Sequence, residues 1–153
     1  MAVSFRSYSS TSPEATRALR GSKSSNTQCE RHLRSELWRL GVRFRKNVSN
    51  LPGRPDIVIH RARIVVFCDG DFWHGRLWSK RKVKLQKGSN SSYWIAKIEG
   101  NIIRDKRDTR LLKKLGWNVI RLWESSILAN TQAIAEGIAK AASVRSNLVS
   151  RAS

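Results

Sequence analysis

The chain has 153 residues, enough for one ordinary domain whose core needs no disulfide or metal staple. Its 30 Lys and Arg against 11 Asp and Glu give a net charge of +19. The pI near 11.4 points to a polyanionic partner, with nucleic acid ahead of a membrane surface or a ribosomal role. No run approaches the roughly 18 apolar residues of a membrane span, and no signal-like apolar stretch opens the chain, so a cytoplasmic, nucleoid-associated setting is expected.

Residues 1–25, rich in Ser, Arg, Thr and Lys, are too polar to bury and read as a flexible basic arm. A helix over residues 29–40 is predicted from Cys29, Leu33, Leu37 and Leu40 on one face. Thr27 and Glu30 form a capping box at its start, and Gly41 stops it. Val42 and Phe44 open a strand. After Pro52, Gly53 and Pro55 come paired strands over 56–60 and 63–68, turning near Arg61-Ala62; the run Ile64-Val65-Val66-Phe67 has the continuous apolar character of a central strand. Residues 78–87 read as a basic loop, followed by a helix entrance at Gly88-Ser89-Asn90. The next helix spans 93–115, with Ile95, Ile98 and Ile102 in one stripe and Leu111, Leu112 and Leu115 continuing its buried face. Val119 to Trp123 is a strand, and Ile134, Ile138 and Ala142 mark a closing helix. One domain over 26–143 is therefore expected, with a disordered tail over 144–153. Its architecture is an α/β sandwich, a mixed sheet flanked by helices.

The segment Leu51-Pro52-Gly53-Arg54-Pro55-Asp56 and the strand ending Cys68-Asp69-Gly70-Asp71-Phe72-Trp73-His74 carry the chemistry. A hairpin sets a carboxylate at the head of one strand beside a histidine just past the end of the next, where they can hold a divalent metal and a water. Other readings compete at each position. Asp56 after a proline can cap a turn, Glu30 can serve only its capping box, and His74 can be a surface loop residue. Asp105 and Asp108 lie in a run of Arg and Lys where helix salt bridges are ordinary. Cys29 and Cys68 have no metal-ligand spacing and read as buried thiols. Among six tryptophans, core positions are expected for Trp38, Trp117 and Trp123.

At Pro55-Asp56, Phe72-Trp73-His74, Asn101 with Asp105, and Gly116-Trp117 ahead of Trp123-Glu124, the chain resembles the very-short-patch-repair (Vsr) type DNA mismatch endonucleases. These form the EDxHD group of restriction-endonuclease-like nucleases, and the likeness covers roughly residues 13 to 130. It implies a restriction-endonuclease-like three-layer sandwich and Mg²⁺-dependent nicking of one strand at or next to a T:G mismatch. Mn²⁺ is able to substitute, and the products carry a 5′-phosphate and a 3′-hydroxyl.

The resemblance also assigns roles. Asp56 and the backbone carbonyl of Cys68 match the magnesium ligands, a hard oxygen set suited to that ion. His74 matches the general base, Glu30 the helical glutamate near the metal, and Asn101 with Asp105 the pair that orients the histidine. Asp69 stands where well-known members have a second active-site histidine, and is either an added metal ligand or a polar substitute. Phe72, Trp73 and Trp94 match the aromatic wedge beside the mismatch, and Lys80, Arg81, Lys82 and Lys84 the phosphate contacts. Typical members hold a structural zinc, but the corresponding positions here are Asp71, Arg76, Trp78 and Ser125, so no zinc is expected and packing around Trp78 replaces it. The implied partner is double-stranded DNA, bound by a monomer that works alongside DNA repair or methyltransferase-associated proteins. Two alternatives remain open: a Vsr-like nuclease of a restriction, phage-defence or mobile-element system without mismatch preference, and an inactive DNA-binding module.

Overall fold

The computed structural model describes residues 25–153, so the expected basic arm lies outside the described residues except for Ser25. α1 (Gln28–Arg39) begins where Thr27 Oγ1 accepts the Glu30 amide, satisfying a donor that the first turn leaves without a helical partner. Helical spacing then buries Cys29, Leu33 and Leu37 together. β1 (Arg45–Lys46), β2 (Ile57–Ile59) and β3 (Ile64–Asp69) follow, with one 3₁₀ turn (His60–Ala62) between β2 and β3. That turn closes with Arg63 in the left-handed region, at φ 51°. α2 (Trp78–Gln86), α3 (Ser91–Lys114), β4 (Asn118–Trp123), α4 (Glu124–Ala129) and α5 (Thr131–Ala152) complete the fold.

The sheet runs β1-β2-β3-β4. β2 pairs antiparallel with β1 and β3, while β4 returns through α3 to lie parallel to β3. Strand alternation sorts the apolar residues onto two faces. Ile57, Ile59, Ile64 and Val66 pack with Leu33, Leu37, Ile127 and Ile138 of the helices α1, α4 and α5. Val58, Val65 and Phe67 pack with Leu112 of α3 on the other face. The result is the expected three layers, stabilised by roughly 1.5–3 kcal/mol for each large aliphatic side chain fully removed from water.

Four expectations need correction. Residues 78–87 are not a loop: Trp78 to Gln86 contains no helix breaker and is rich in good helix formers, so its polarity conceals α2. No residue of α2 is buried, and the helix is tied to α3 where Lys82 Nζ (2.7 Å) and Trp78 Nε1 (3.4 Å) donate to Glu99. On α3 the buried residues are two pairs four apart, Trp94 with Ile98 and Asp108 with Leu112, which leaves Leu111 and Leu115 on an exposed flank. Trp38 is 59% exposed rather than core, with Arg43 stacked 4.1 Å from its ring centroid. Residues 144–152 are not a disordered tail but the end of α5, docked where Arg145 Nε donates to the Ala62 carbonyl at 2.9 Å. No helix among the described residues is long and apolar enough to cross a membrane.

Candidate active site

The antiparallel β2–β3 pair brings Asp56 and Cys68 together at one sheet edge. The Asp56 amide donates to Val66 O at 3.1 Å, and Asp56 Oδ2 accepts the Cys68 amide at 2.7 Å. The turn ahead of Asp56 needs Gly53: its φ is +73°, and a Cβ there would come within 3.2 Å of Asp108 and of the Phe67 ring. Asp108 is therefore more than a solvated salt-bridge partner. It is 4% exposed, bonded to Arg107, and lies beneath the loop that presents Asp56.

Burial, reinforced by the charges of Glu30 and Asp69, pushes the Asp56 carboxyl up to about 7 despite the Cys68 amide. Such a group prefers to share its charge with a proton or a cation. It faces a cleft of about 960 Å³. The Cys68 thiol hydrogen-bonds to Cys29, and that bond together with burial holds its pKa well above the usual thiol range. Only the backbone carbonyl of Cys68 thus offers a hard oxygen donor. Glu30 faces the same cleft, yet its oxygens accept from Thr27 Oγ1 (3.1 Å), the Asn26 amide (2.9 Å) and Arg34 (3.2 Å). These bonds tie Glu30 to the start of α1, and its charge still reaches Asp56.

His74 lies across the cleft. Its Nδ1 is 2.6 Å from Asp105 Oδ2 and 3.6 Å from Asp69 Oδ1. Burial alone would depress the imidazole, but the Asp105 hydrogen bond and the two negative charges outweigh it and raise the pKa. Asp69, Asp105 and His74 are close enough to hold a metal ion, with ligand atoms within 4.8 Å of one another. The Arg121 guanidinium already occupies that corner, bonded to both Asp69 oxygens at 2.9 and 3.0 Å. Asn101 is not hydrogen-bonded to the ring. Its Nδ2 donates to Trp73 O at 2.8 Å, fixing the backbone one residue before His74. Gly75 lets this loop press on α3: its φ is +74°, and a Cβ there would fall 2.5 Å from Ile102 Cδ1.

The aromatic residues beside His74 form one cluster. Phe72 and Trp73 are half-buried at its front, while Trp94, 7% exposed, backs them with ring centroids 5.9 and 5.8 Å away. Trp94 supports the other two and is not itself presented to the cleft's outer surface. Lys97 Nζ sits 4.9 Å from the Trp73 centroid, and Arg81 of α2 sits 5.4 Å from that of Phe72. Lys80, Arg81 and Lys84 continue the basic surface along α2, whereas Lys82 is engaged with Glu99.

Residues 11–80 match the model of the family described as DNA mismatch endonuclease Vsr. A type II nicking enzyme of Neisseria meningitidis serogroup C is 39% identical over 131 residues, covering 86% of this chain and 87% of the relative. A type II nicking enzyme of Haemophilus parainfluenzae is 41% identical over 120 residues, 78% of this chain and 84% of the relative. The DNA mismatch endonuclease Vsr of Escherichia coli (strain K12) is 37% identical over 116 residues, 74% of this chain and 72% of the relative. The chain belongs to the Vsr family. It is a DNA endonuclease with a restriction-endonuclease-like α/β fold, and among its described residues Asp69, His74 and Asp105 lie close enough together to hold a divalent metal.

In this Vsr-family chain Asp71, Arg76 and Ser125, three of the positions that the resemblance matched to a structural zinc site, form a hydrogen-bonded clasp. Arg76 Nη1 donates to Asp71 Oδ2 at 3.1 Å and also to Ser125 Oγ, while the Ser125 amide donates to Asp71 Oδ1 at 3.2 Å. These bonds outweigh burial and lower the Asp71 pKa. The donor set lacks thiolate and imidazole, so it does not fit zinc. Trp78 takes no part, its indole being turned to Glu99. Sequence reasoning missed the Asp71–Arg76 pair and missed Arg121 altogether; the signal for the latter was a lone arginine inside the apolar strand Val119-Ile120-Arg121-Leu122.

Proposed function

We propose that the chain is a Mg²⁺-dependent endonuclease that nicks one strand of duplex DNA at or next to a T:G mismatch, acting as a monomer. The observation that carries this reading is the placement of Asp56 and the Cys68 carbonyl at one sheet edge, in the same cleft as the His74–Asp105 pair. Asp56 and the Cys68 carbonyl would hold Mg²⁺, an ion that, when bound, lowers the pKa of a coordinated water and offsets charge on the pentavalent phosphorus. The raised Asp56 pKa fits that role, because an excess of buried negative charge is what a divalent cation relieves.

His74 supplies the base. A carboxylate only accepts, so the proton on Nδ1 points to Asp105 and leaves Nε2 to take a proton from the attacking water. Asp105 then stabilises the imidazolium that forms. Lys80, Arg81 and Lys84 hold backbone phosphates, and Phe72 with Trp73 presses on the base step, where opening the stack is easiest at a mispair.

Conversion of supercoiled plasmid to open circle with Mg²⁺ tests the chemistry. Asp56→Ala and His74→Ala should each lose nicking by about 10²-fold or more while still binding duplex, since phosphate contacts survive. Near-wild-type turnover in either variant removes that residue from the mechanism. A second reading is nicking without mismatch preference, since two relatives are named type II nicking enzymes and those names carry no mismatch. Duplexes differing only in one mismatch separate the two, with equal rates on matched and T:G substrates deciding for the second.

A further inference from the structure

Arg121 lies opposite Phe67 in the parallel β3–β4 ladder, and Asp69 is two residues further along β3. Paired residues project to the same face, and so do residues two apart, so Arg121 and Asp69 share the face that also meets α3. The guanidinium stacks 4.0 Å from the Phe67 ring centroid. Every nitrogen is engaged. Nη1 donates to both Asp69 oxygens at 2.9 and 3.0 Å, Nε to Thr109 Oγ1 at 2.9 Å, and Nη2 to the Asp105 backbone carbonyl at 3.5 Å. Nη1 is also 3.6 Å from Asp105 Oδ1.

We infer that Arg121 is a positioning residue for nicking, a fixed cation that locks the carboxylates of Asp69 and Asp105 on either side of His74 Nδ1. This rests on the reading of His74 as the base. Two carboxylates near one imidazole nitrogen repel each other, and Asp69 is 6% exposed, so water cannot offset its charge. Arg121 offsets it from behind. With Asp69 held, Asp105 keeps the short bond to Nδ1, and Nε2 stays aimed into the cleft. The same guanidinium takes the place of a second cation at this corner, which leaves the metal site to Asp56 and Cys68. Arg121 differs from the basic residues of α2 because each of its three nitrogens is already bonded inside the protein.

The test is single-turnover nicking and duplex affinity of the full-length protein, for Arg121→Met, Asp69→Asn and the double variant, with His74→Ala as reference. Arg121→Met should lower the rate at saturating duplex by about 10- to 100-fold, the loss typical of a group supporting a catalytic side chain, with affinity changed by less than about 3-fold. Because Arg121→Met leaves Asp69 buried without its cation, the double variant should be at least as fast as Arg121→Met alone. A rate within about 2-fold of wild type, an affinity loss that accounts for the whole effect, or losses that multiply in the double variant would each overturn the inference. If Arg121→Met does not fold, Thr109→Val, which frees Nε, must show the same split between rate and affinity. Undiminished nicking by His74→Ala sinks the reading of the base itself; full loss in His74→Ala with none in Arg121→Met sinks only the role of Arg121.

Discussion

His74 Nδ1 stands 2.6 Å from Asp105 Oδ2, a bond that sets both the tautomer of the ring and its affinity for a proton. With Nδ1 donating to a carboxylate, the nitrogen left to accept a proton is Nε2, and it does so only when the ring is neutral. Asp105 and Asp69 raise the His74 pKa above 6.5 against the opposing effect of burial. Nicking should therefore increase with pH through and beyond that value before levelling. Asp105→Asn removes much of what raises the pKa and leaves the burial, so the rising limb should move to lower pH while the plateau falls by about 10- to 100-fold. Rates measured across pH at fixed Mg²⁺ check this; a limb that stays in place would separate Asp105 from the ionisation of the base.

Asp56 gives an opposite dependence in stability. Its carboxyl titrates at about 7 in the folded chain and near ~3.9 when unfolded. Between those values the native state holds a proton that the unfolded state has released, so this group's contribution to stability is complete below the lower value and is lost as pH rises through the upper one. Without divalent metal, the melting temperature of the wild type should fall from about pH 5 to about pH 8 more than that of Asp56→Asn. Adding Mg²⁺ at the higher pH should raise the wild type and spare little for the variant, because metal binding stabilises only a state that can hold it. Parallel pH profiles for the two proteins would place the strain elsewhere.

The layers of the fold and the meeting of Asp56, Cys68 and His74 were legible because each follows from local pattern. Alternation and punctuation define a hairpin, and a hairpin fixes which ends meet. The helix α2 was hidden because Lys80, Arg81 and Lys84 bury nothing, so no apolar stripe announces it. Trp38 misled in the other direction, since an aromatic ring covered by one arginine can remain on the surface. Arg121 was invisible for a different reason. Its partners Asp69, Asp105 and Thr109 come from a neighbouring strand and from α3, and only the parallel register brings them within reach.

The clasp of Asp71, Arg76 and Ser125 joins the loop carrying His74 to the start of α4 without sulfur or imidazole ligands. The purified protein should contain no stoichiometric zinc, and its melting temperature should be unchanged by a chelator at a pH where no divalent ion is added. Arg76→Met should lower that temperature, because Asp71 and Ser125 lose their shared donor. One tightly held zinc per chain by elemental analysis, with melting lowered by chelation, would overturn the assignment.

The aromatic cluster separates stability from recognition. Trp94 is almost wholly enclosed by Phe72, Trp73 and Tyr93, so Trp94→Ala should cost about 3–5 kcal/mol of folding stability before it says anything about DNA. Trp73 is half-buried beside His74, with Lys97 over its face. Trp73→Ala should keep a native circular dichroism spectrum and bind duplex almost as tightly, since phosphates supply most of the affinity. It should cut a T:G duplex far more slowly, because the ring acts at the base step. Comparing cleavage rate with affinity on matched and T:G duplexes measures this directly. If Trp73→Ala loses affinity and rate in equal proportion on both substrates, the ring is a general contact; if it loses rate only where the mispair is present, Trp73 reads the weakened stack.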